Sequence, residues 1–223
     1  MRIFITGATG RTGIRTARAL AERGDQVVGL LRRPERNAAL AAFGAMGVPG
    51  DLAAMDQRQL AEAMAGADAL VYAAGSGEND NDAATDAIDG AGVVKAIAAA
   101  KLAGIRRFLL ISVFPEAGRG KNFGNSFEHY IAVKKRADMA LAESGLDWII
   151  LRPGTLTDEP GTGLIHLGPA ITYGEVRRDD VAMTTAELIH ASSISKRVLE
   201  VTGGTMPIAE AVGSLETRAA LSP

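Results

Sequence analysis

Residues 1–13 read MRIFITGATGRTG, and their reading decides the fold. Ile3 to Ile5 is an apolar run suited to a buried strand, and Gly7, Gly10 and Gly13 follow with two residues between neighbours. Each glycine answers a separate local need. Gly7 permits a tight turn, Gly10 lets a pyrophosphate reach bare backbone, and Gly13 lets the next helix pack close to the strand. The amides of this loop, with Thr9, Arg11 and Thr12 between the glycines, and the positive end of the helix would then face phosphates. A glycine triplet alone arises readily in a chain with 26 glycines. The strand before it and a helix from Arg11 to Arg23 after it make the stretch read as a dinucleotide loop rather than a plain strand-to-helix turn.

Working outward, a second strand over Gln26 to Leu31 ends in Arg32-Arg33-Pro34. An acidic side chain at this tip would hold the ribose 2′-hydroxyl of NAD, whereas arginines suit the 2′-phosphate of NADP. NADP is therefore the favoured cofactor; the plainer alternative is two solvated surface arginines. Residues 35 to 45 are Ala-rich and helical in pattern. A brief third strand, Met46 to Val48, leads to Asp51 and Leu52, placed either to flank an adenine or, for Asp51, to cap a helix over residues 56 to 65. The fourth strand, Asp68 to Ala74, brings Ala73, Ala74 and Gly75 to the same edge. This alternation predicts an α/β protein, a Rossmann-type doubly wound parallel sheet with right-handed crossovers.

Residues 78 to 89 are acidic, and Asp82, Asp86 and Asp89 fall on one face of an ideal helix that runs on to Lys101. An EF-hand fails here because no glycine stands at the sixth position after Asp80, and no metal site is expected. Arg106 to Val113 is a fifth strand with Ser112 near its carboxyl end. The glycine-rich stretch 114 to 125, with Gly118, Gly120 and Gly124, is a candidate lid. On the helix over Ser126 to Ser144, Tyr130 and Lys134 share a face, as a proton-transfer site requires. A sixth strand, Asp147 to Leu151, enters Arg152-Pro153-Gly154. Beyond it we expect a loop over 155 to 175 holding one short strand, a helix over 179 to 192, a strand over 197 to 202 and a helix over 207 to 218. The chain thus reads as one domain, residues 1–223, with 155–223 as a small C-terminal substrate lid.

The formal net charge is −2 and the basic pairs are dispersed, so no electrostatic case exists for a nucleic-acid or membrane partner. With no cysteine, disulfides, thiol catalysis and cysteine-ligated zinc are excluded. No leader peptide and no apolar run of about 18 residues is seen, which makes the cytoplasm the expected location. The expected partner is a small-molecule substrate, on a monomer or homodimer. His129 is read as surface or packing, His166 and His190 have no evident partner, and Trp148 is read as core.

Together, Thr6-Gly-Ala-Thr-Gly-Arg-Thr-Gly13, Ser112, Tyr130-x-x-x-Lys134, Leu151-Arg-Pro-Gly154 and Arg178-Asp-Asp-Val-Ala182 resemble the short-chain dehydrogenase/reductase superfamily, in its small atypical branch. The resemblance covers nearly the whole chain. It implies an NAD(P)-binding Rossmann fold, with Pro153 and Gly154 lining the nicotinamide and Lys134 holding the ribose. It implies hydride transfer, with Tyr130 as acid or base and Ser112 orienting the reacting oxygen. The Lys134 ammonium is expected to favour phenolate at Tyr130. One position departs: Asp89 stands where active relatives carry an Asn that completes the proton relay. The resemblance therefore leaves other readings open: a non-catalytic NADP sensor like the NmrA-like proteins, a nucleotide-sugar-type epimerase or dehydratase, or a flavin- or biliverdin-type reductase.

Overall fold

The computed structural model describes residues 1–77, 81–115 and 124–220, so Asp80 and the lid glycines Gly118 and Gly120 lie outside the described residues. Strands β1 (Arg2–Thr6), β2 (Gln26–Leu31), β3 (Met46–Pro49), β4 (Ala69–Tyr72), β5 (Arg107–Ile111) and β6 (Asp147–Pro153) run parallel in the spatial order 3-2-1-4-5-6. Strand order reverses between β1 and β4, and in such sheets ligands bind in the crevice at that point, outside the carboxyl ends.

Both faces of the sheet are covered, which is why the inner strands are apolar throughout rather than alternating. Ile3 and Ile5 pack with Ala17 and Leu20 of α1 (Arg11–Glu22) and with Val181 and Leu188 of α7 (Arg178–His190). Phe4 faces the other way, into a layer with Leu60 of α3 (Gln57–Ala63), Ile97 of α5 (Gly92–Leu102), Leu141 of α6 (Asn125–Ala142) and Trp148. The region expected as helix after Pro34 is a 3-10 turn, Pro34–Arg36, followed by the short α2 (Asn37–Ala41). Helix α3 is capped by Asp56 through a reciprocal capping box, not by Asp51. No described helix is long and apolar enough to cross a membrane.

Three further features differ from expectation. Residues 155 to 175 hold parts of three strands rather than one: β7 (Thr155–Thr157), β8 (Leu164–Gly168) and the start of β9 (Glu175–Arg177). β10 (Arg197–Gly203) adds parallel to β6, β8 pairs antiparallel with β10, and β11 (Met206–Pro207) pairs with β8, extending the sheet to nine strands. The last helix, α8 (Ile208–Ala220), buries Ala211 and Val212 in the α1/α7 layer. Most of the expected lid is thus built into the sheet and its cover, and a separate two-stranded pairing of β7 with β9 remains at the edge. Secondly, α4 (Asp82–Thr85) enters α5 through a π-helical turn, Asp86–Ala91. The wider turn buries Asp89 while Asp86 stays exposed on His129, so Asp82, Asp86 and Asp89 share no face. Thirdly, His190 does have a partner, Asp25, at 2.8 Å.

Arg107 closes the far end of α7. Its guanidinium donates to the carbonyls of Leu188, Ile189, Ala191 and Ile194 and to Asp147, satisfying groups that a helix terminus leaves open. Replacing it by Met orphans those buried carbonyls, and we expect Arg107→Met to lower the unfolding free energy by about 3 kcal/mol or more, measured as a urea midpoint shift.

Candidate active site

At the crevice the glycine loop is held by contacts that only glycine allows. Gly7 adopts φ +71°, and a Cβ there would stand 2.6–2.7 Å from the backbone of Ala73 and Ala74. A Cβ on Gly13 would sit 2.0 Å from the Gly7 carbonyl oxygen, so the first turn of α1 lies directly on the loop. Gly10 is different: an added Cβ meets nothing nearer than Gly7 O at 3.2 Å. Helix α1 begins after Gly10 with no side-chain cap and no acidic residue in its first turn, which suits its positive end to a phosphate. The Thr6 hydroxyl beneath the loop is buried and lacks a hydrogen-bond partner.

Arg32 and Arg33 are exposed just past β2. A third arginine joins them, for Arg36 donates to the Thr9 carbonyl at 3.3 Å. Arg11, a candidate phosphate contact, pairs with Asp158, which also meets Arg178 at 3.1 Å. The Arg178-Asp-Asp motif is structural here: Asp179 and Asp180 accept the amides of Gly161, Thr162 and Gly163 and pin that loop to α7. Lys95 donates to the carbonyls of Leu52, Ala53 and Met55 and so clamps the turn carrying Asp51 and Leu52.

Helix α6 presents Tyr130, Lys134 and Asp138 at intervals of four, on one face. Lys134 is buried; its Nζ lies 3.5 Å from Asp89 Oδ1 and donates to the Ile111 carbonyl at 3.2 Å. Asp89, 1% exposed, accepts the Ser76 amide at 2.9 Å with its other oxygen, tying the loop after β4 to the α6 lysine. Ser112 donates to Asp138 Oδ1 at 2.6 Å, and Arg152 holds Oδ2 through Nε at 3.0 Å and Nη2 at 2.9 Å. Two aromatic pairs are formed: Phe127 lies beside Tyr130 at 6.3 Å, and the buried Phe114 is edge-on to Tyr173 at 5.4 Å. Gly154 is pressed on the Gly174 carbonyl, where a Cβ would come within 2.0 Å, so Pro153 and Gly154 are fixed against the β7–β9 pair.

The family model for NAD(P)H-binding proteins matches residues 7–192. The chain belongs to the NAD(P)H-binding family. An uncharacterized protein from Bacillus subtilis bearing the name sugar epimerase YhfK is 35% identical over 96% of this chain and 100% of its own. A solved structure from Bacillus halodurans, named for the NAD-dependent epimerase/dehydratases, is 32% identical with a TM-score of 0.87, covering 96% of this chain and 99% of that one. ChuY, an anaerobillin reductase from Escherichia coli O157:H7, is 27% identical with a TM-score of 0.75, covering 91% and 97%. The crevice fits a nicotinamide dinucleotide, because Gly10 leaves bare backbone beside an uncapped helix start and cationic side chains follow at the tip of β2.

Charge at α6 departs from the expected bias toward phenolate. Burial pushes the Tyr130 phenol up from its ordinary value; the Lys134 ammonium pulls it down, but Asp89 and Asp138 oppose that pull, and the net shift is upward. Burial alone would lower Lys134, yet Tyr130, Asp89 and Asp138 outweigh it and raise it. Burial also raises Tyr72, with Asp89 adding to it, and raises Asp138 against the pull of Ser112 and Arg152. Tyr72, Tyr130 and Lys134 therefore hold protons more tightly in the folded chain than in the unfolded one. Their contribution is complete below about pH 10 and is lost as pH rises through the elevated values. Urea midpoints measured from pH 8 to 11 should fall along this limb, and Tyr130→Phe should flatten it.

Proposed function

We propose that the protein is an NADP-dependent reductase or dehydrogenase acting on a small carbonyl, quinone or flavin-like acceptor. The observation that carries the reading is the buried Lys134, one turn from Tyr130 and tied through Asp89 to the loop after β4, beside a glycine loop open to a dinucleotide. Arg32, Arg33 and Arg36 supply charge for a 2′-phosphate. Gly7 to Gly13 and the start of α1 hold the pyrophosphate, the Asp51–Leu52 turn flanks the adenine, and Ala73 to Gly75 with Pro153 and Gly154 line the remaining length. NADPH, when bound, supplies the hydride.

What the side chains add is control of a proton. A phenol is protonated at neutral pH, and burial with two carboxylates pushes Tyr130 further that way, so its hydroxyl is ready to give a proton to the oxygen of the acceptor. Lys134, kept cationic, holds a ribose hydroxyl and limits the rise of the phenol. The Phe127–Tyr130 pair suits a planar acceptor, in line with the reductase among the relatives. A second reading, an NADP-binding sensor without turnover, draws on the Lys134–Asp89 pair, since a carboxylate on the lysine competes for its charge.

Calorimetric titration should show NADP bound at least ~10-fold more tightly than NAD, a preference lost in an Arg32→Ala, Arg33→Ala double variant. With NADPH and 9,10-phenanthrenequinone, Tyr130→Phe should lower kcat roughly 10²-fold while leaving NADP affinity unchanged. Full turnover in that variant removes Tyr130 as the acid, and tight NADP binding with no turnover in the unmodified protein favours the sensor.

A further inference from the structure

The Ser112 hydroxyl carries a single hydrogen, and the structure shows where it goes. Ser112 Oγ stands 2.6 Å from Asp138 Oδ1, and Arg152 places two nitrogens on Oδ2 at 2.9 and 3.0 Å. Asp138 thus accepts from Ser112 on one oxygen and from Arg152 on the other. Ser112 is therefore the donor in this bond, and what its oxygen still offers is lone pairs. Ser112 and Asp138 are both buried, so water does not compete for the bond. The serine also sits where the chemistry is proposed: it follows Ile111, whose carbonyl takes Lys134, and Asp138 lies one turn beyond Lys134 on the helix of Tyr130.

We propose that Asp138 is a positioning residue that fixes Ser112 as a hydrogen-bond acceptor toward the substrate, and that the substrate is a carbonyl compound bearing a hydroxyl on the adjacent carbon. This inference rests on the reductase reading above. A bare carbonyl oxygen has no hydrogen to offer Ser112, so Tyr130 alone donates to it. A neighbouring hydroxyl does have one, and Ser112 receives it. The balance of the reaction is that of carbonyl reduction: hydride adds to the carbonyl carbon from NADPH, the proton of Tyr130 passes to the carbonyl oxygen, and NADP⁺ leaves. Ser112 and Asp138 exchange no proton in it.

The test turns on the isosteric change Asp138→Asn. Arg152 has donors only, so the amide oxygen must face Arg152 and the amide NH₂ must face Ser112. That reverses the bond: Ser112 becomes the acceptor inside, and its hydrogen is released toward the substrate. NADPH oxidation is followed with acetophenone, 2-hydroxyacetophenone and, as a general acceptor, 9,10-phenanthrenequinone. The quantity read is the ratio of kcat/KM for the hydroxyketone to that for the plain ketone. We expect it to fall about ten-fold in Asp138→Asn, the effect of one hydrogen bond made or left unmade. Ser112→Ala, which keeps the Asp138–Arg152 pair, should also lower it.

A merely structural role for Asp138 would reduce both ketones in proportion. An unchanged or increased ratio in both variants, or turnover of the quinone with neither ketone, overturns this inference and leaves the reductase reading standing. If the unmodified protein oxidises NADPH with none of the three, both fall. Should Asp138→Asn fail to fold, as judged by its thermal melt, the ratio in Ser112→Ala decides the matter alone.

Discussion

The constraint on which the rest depends is backbone against backbone at the start of the chain. Gly13 meets the Gly7 carbonyl, and Gly7 meets Ala73 and Ala74, at separations that leave no room for a methyl group. One contact therefore sets three things at once: the depth at which α1 starts, the path of the loop, and the junction between β1 and β4. Everything that lines the crevice is placed relative to that junction. Helix α7 docks on α1 from the same side, and Arg107 ties the end of α7 back to β5 and to Asp147.

The first two-thirds of the fold could be read in the sequence because its signals are local. β2 occupies the span that its apolar run suggests, and the strand boundaries of β1, β4 and β5 differ only at their ends. Past Gly154 that legibility fails for a physical reason. β7 and β9 are three residues each and owe their form to a backbone contact between Gly154 and Gly174, twenty positions apart, which leaves no periodicity to read. The π turn likewise depends on a distant partner, the Tyr72 hydroxyl, which donates to the Ile88 carbonyl at 2.5 Å and fills the space that a side chain on Gly92 would need.

At the crevice, residues with a motif around them were visible: the glycines, Tyr130, Lys134, Ser112 and the arginines after β2. Those that work by reaching across the fold were not. Lys95 and Arg36 act on carbonyl oxygens, which carry no residue identity, and so neither has a sequence signature. Asp138 did have one, as the next member of the series 130, 134, 138. Its meaning appears only when β5 and β6 bring Ser112 and Arg152 to the two oxygens of its carboxylate. The tyrosine taught the opposite lesson: a lysine one turn away is visible in the sequence, but the burial that outweighs it is not.

The π turn also acts as a phase shifter. A residue inserted into an α-helix rotates all that precedes it by about 100° relative to all that follows. Asp86–Ala91 carries such an extra residue, so the chain entering from α4 and the chain leaving as α5 are out of register by that angle. The carboxylate of Asp89 lies inside this dislocation, where it touches Lys134 and the Ser76 amide at once. Shortening the turn by one residue would leave the composition of the site intact and rotate that carboxylate away from one partner or the other. The site's charge is in this sense stored in helical register as much as in the identity of its residues.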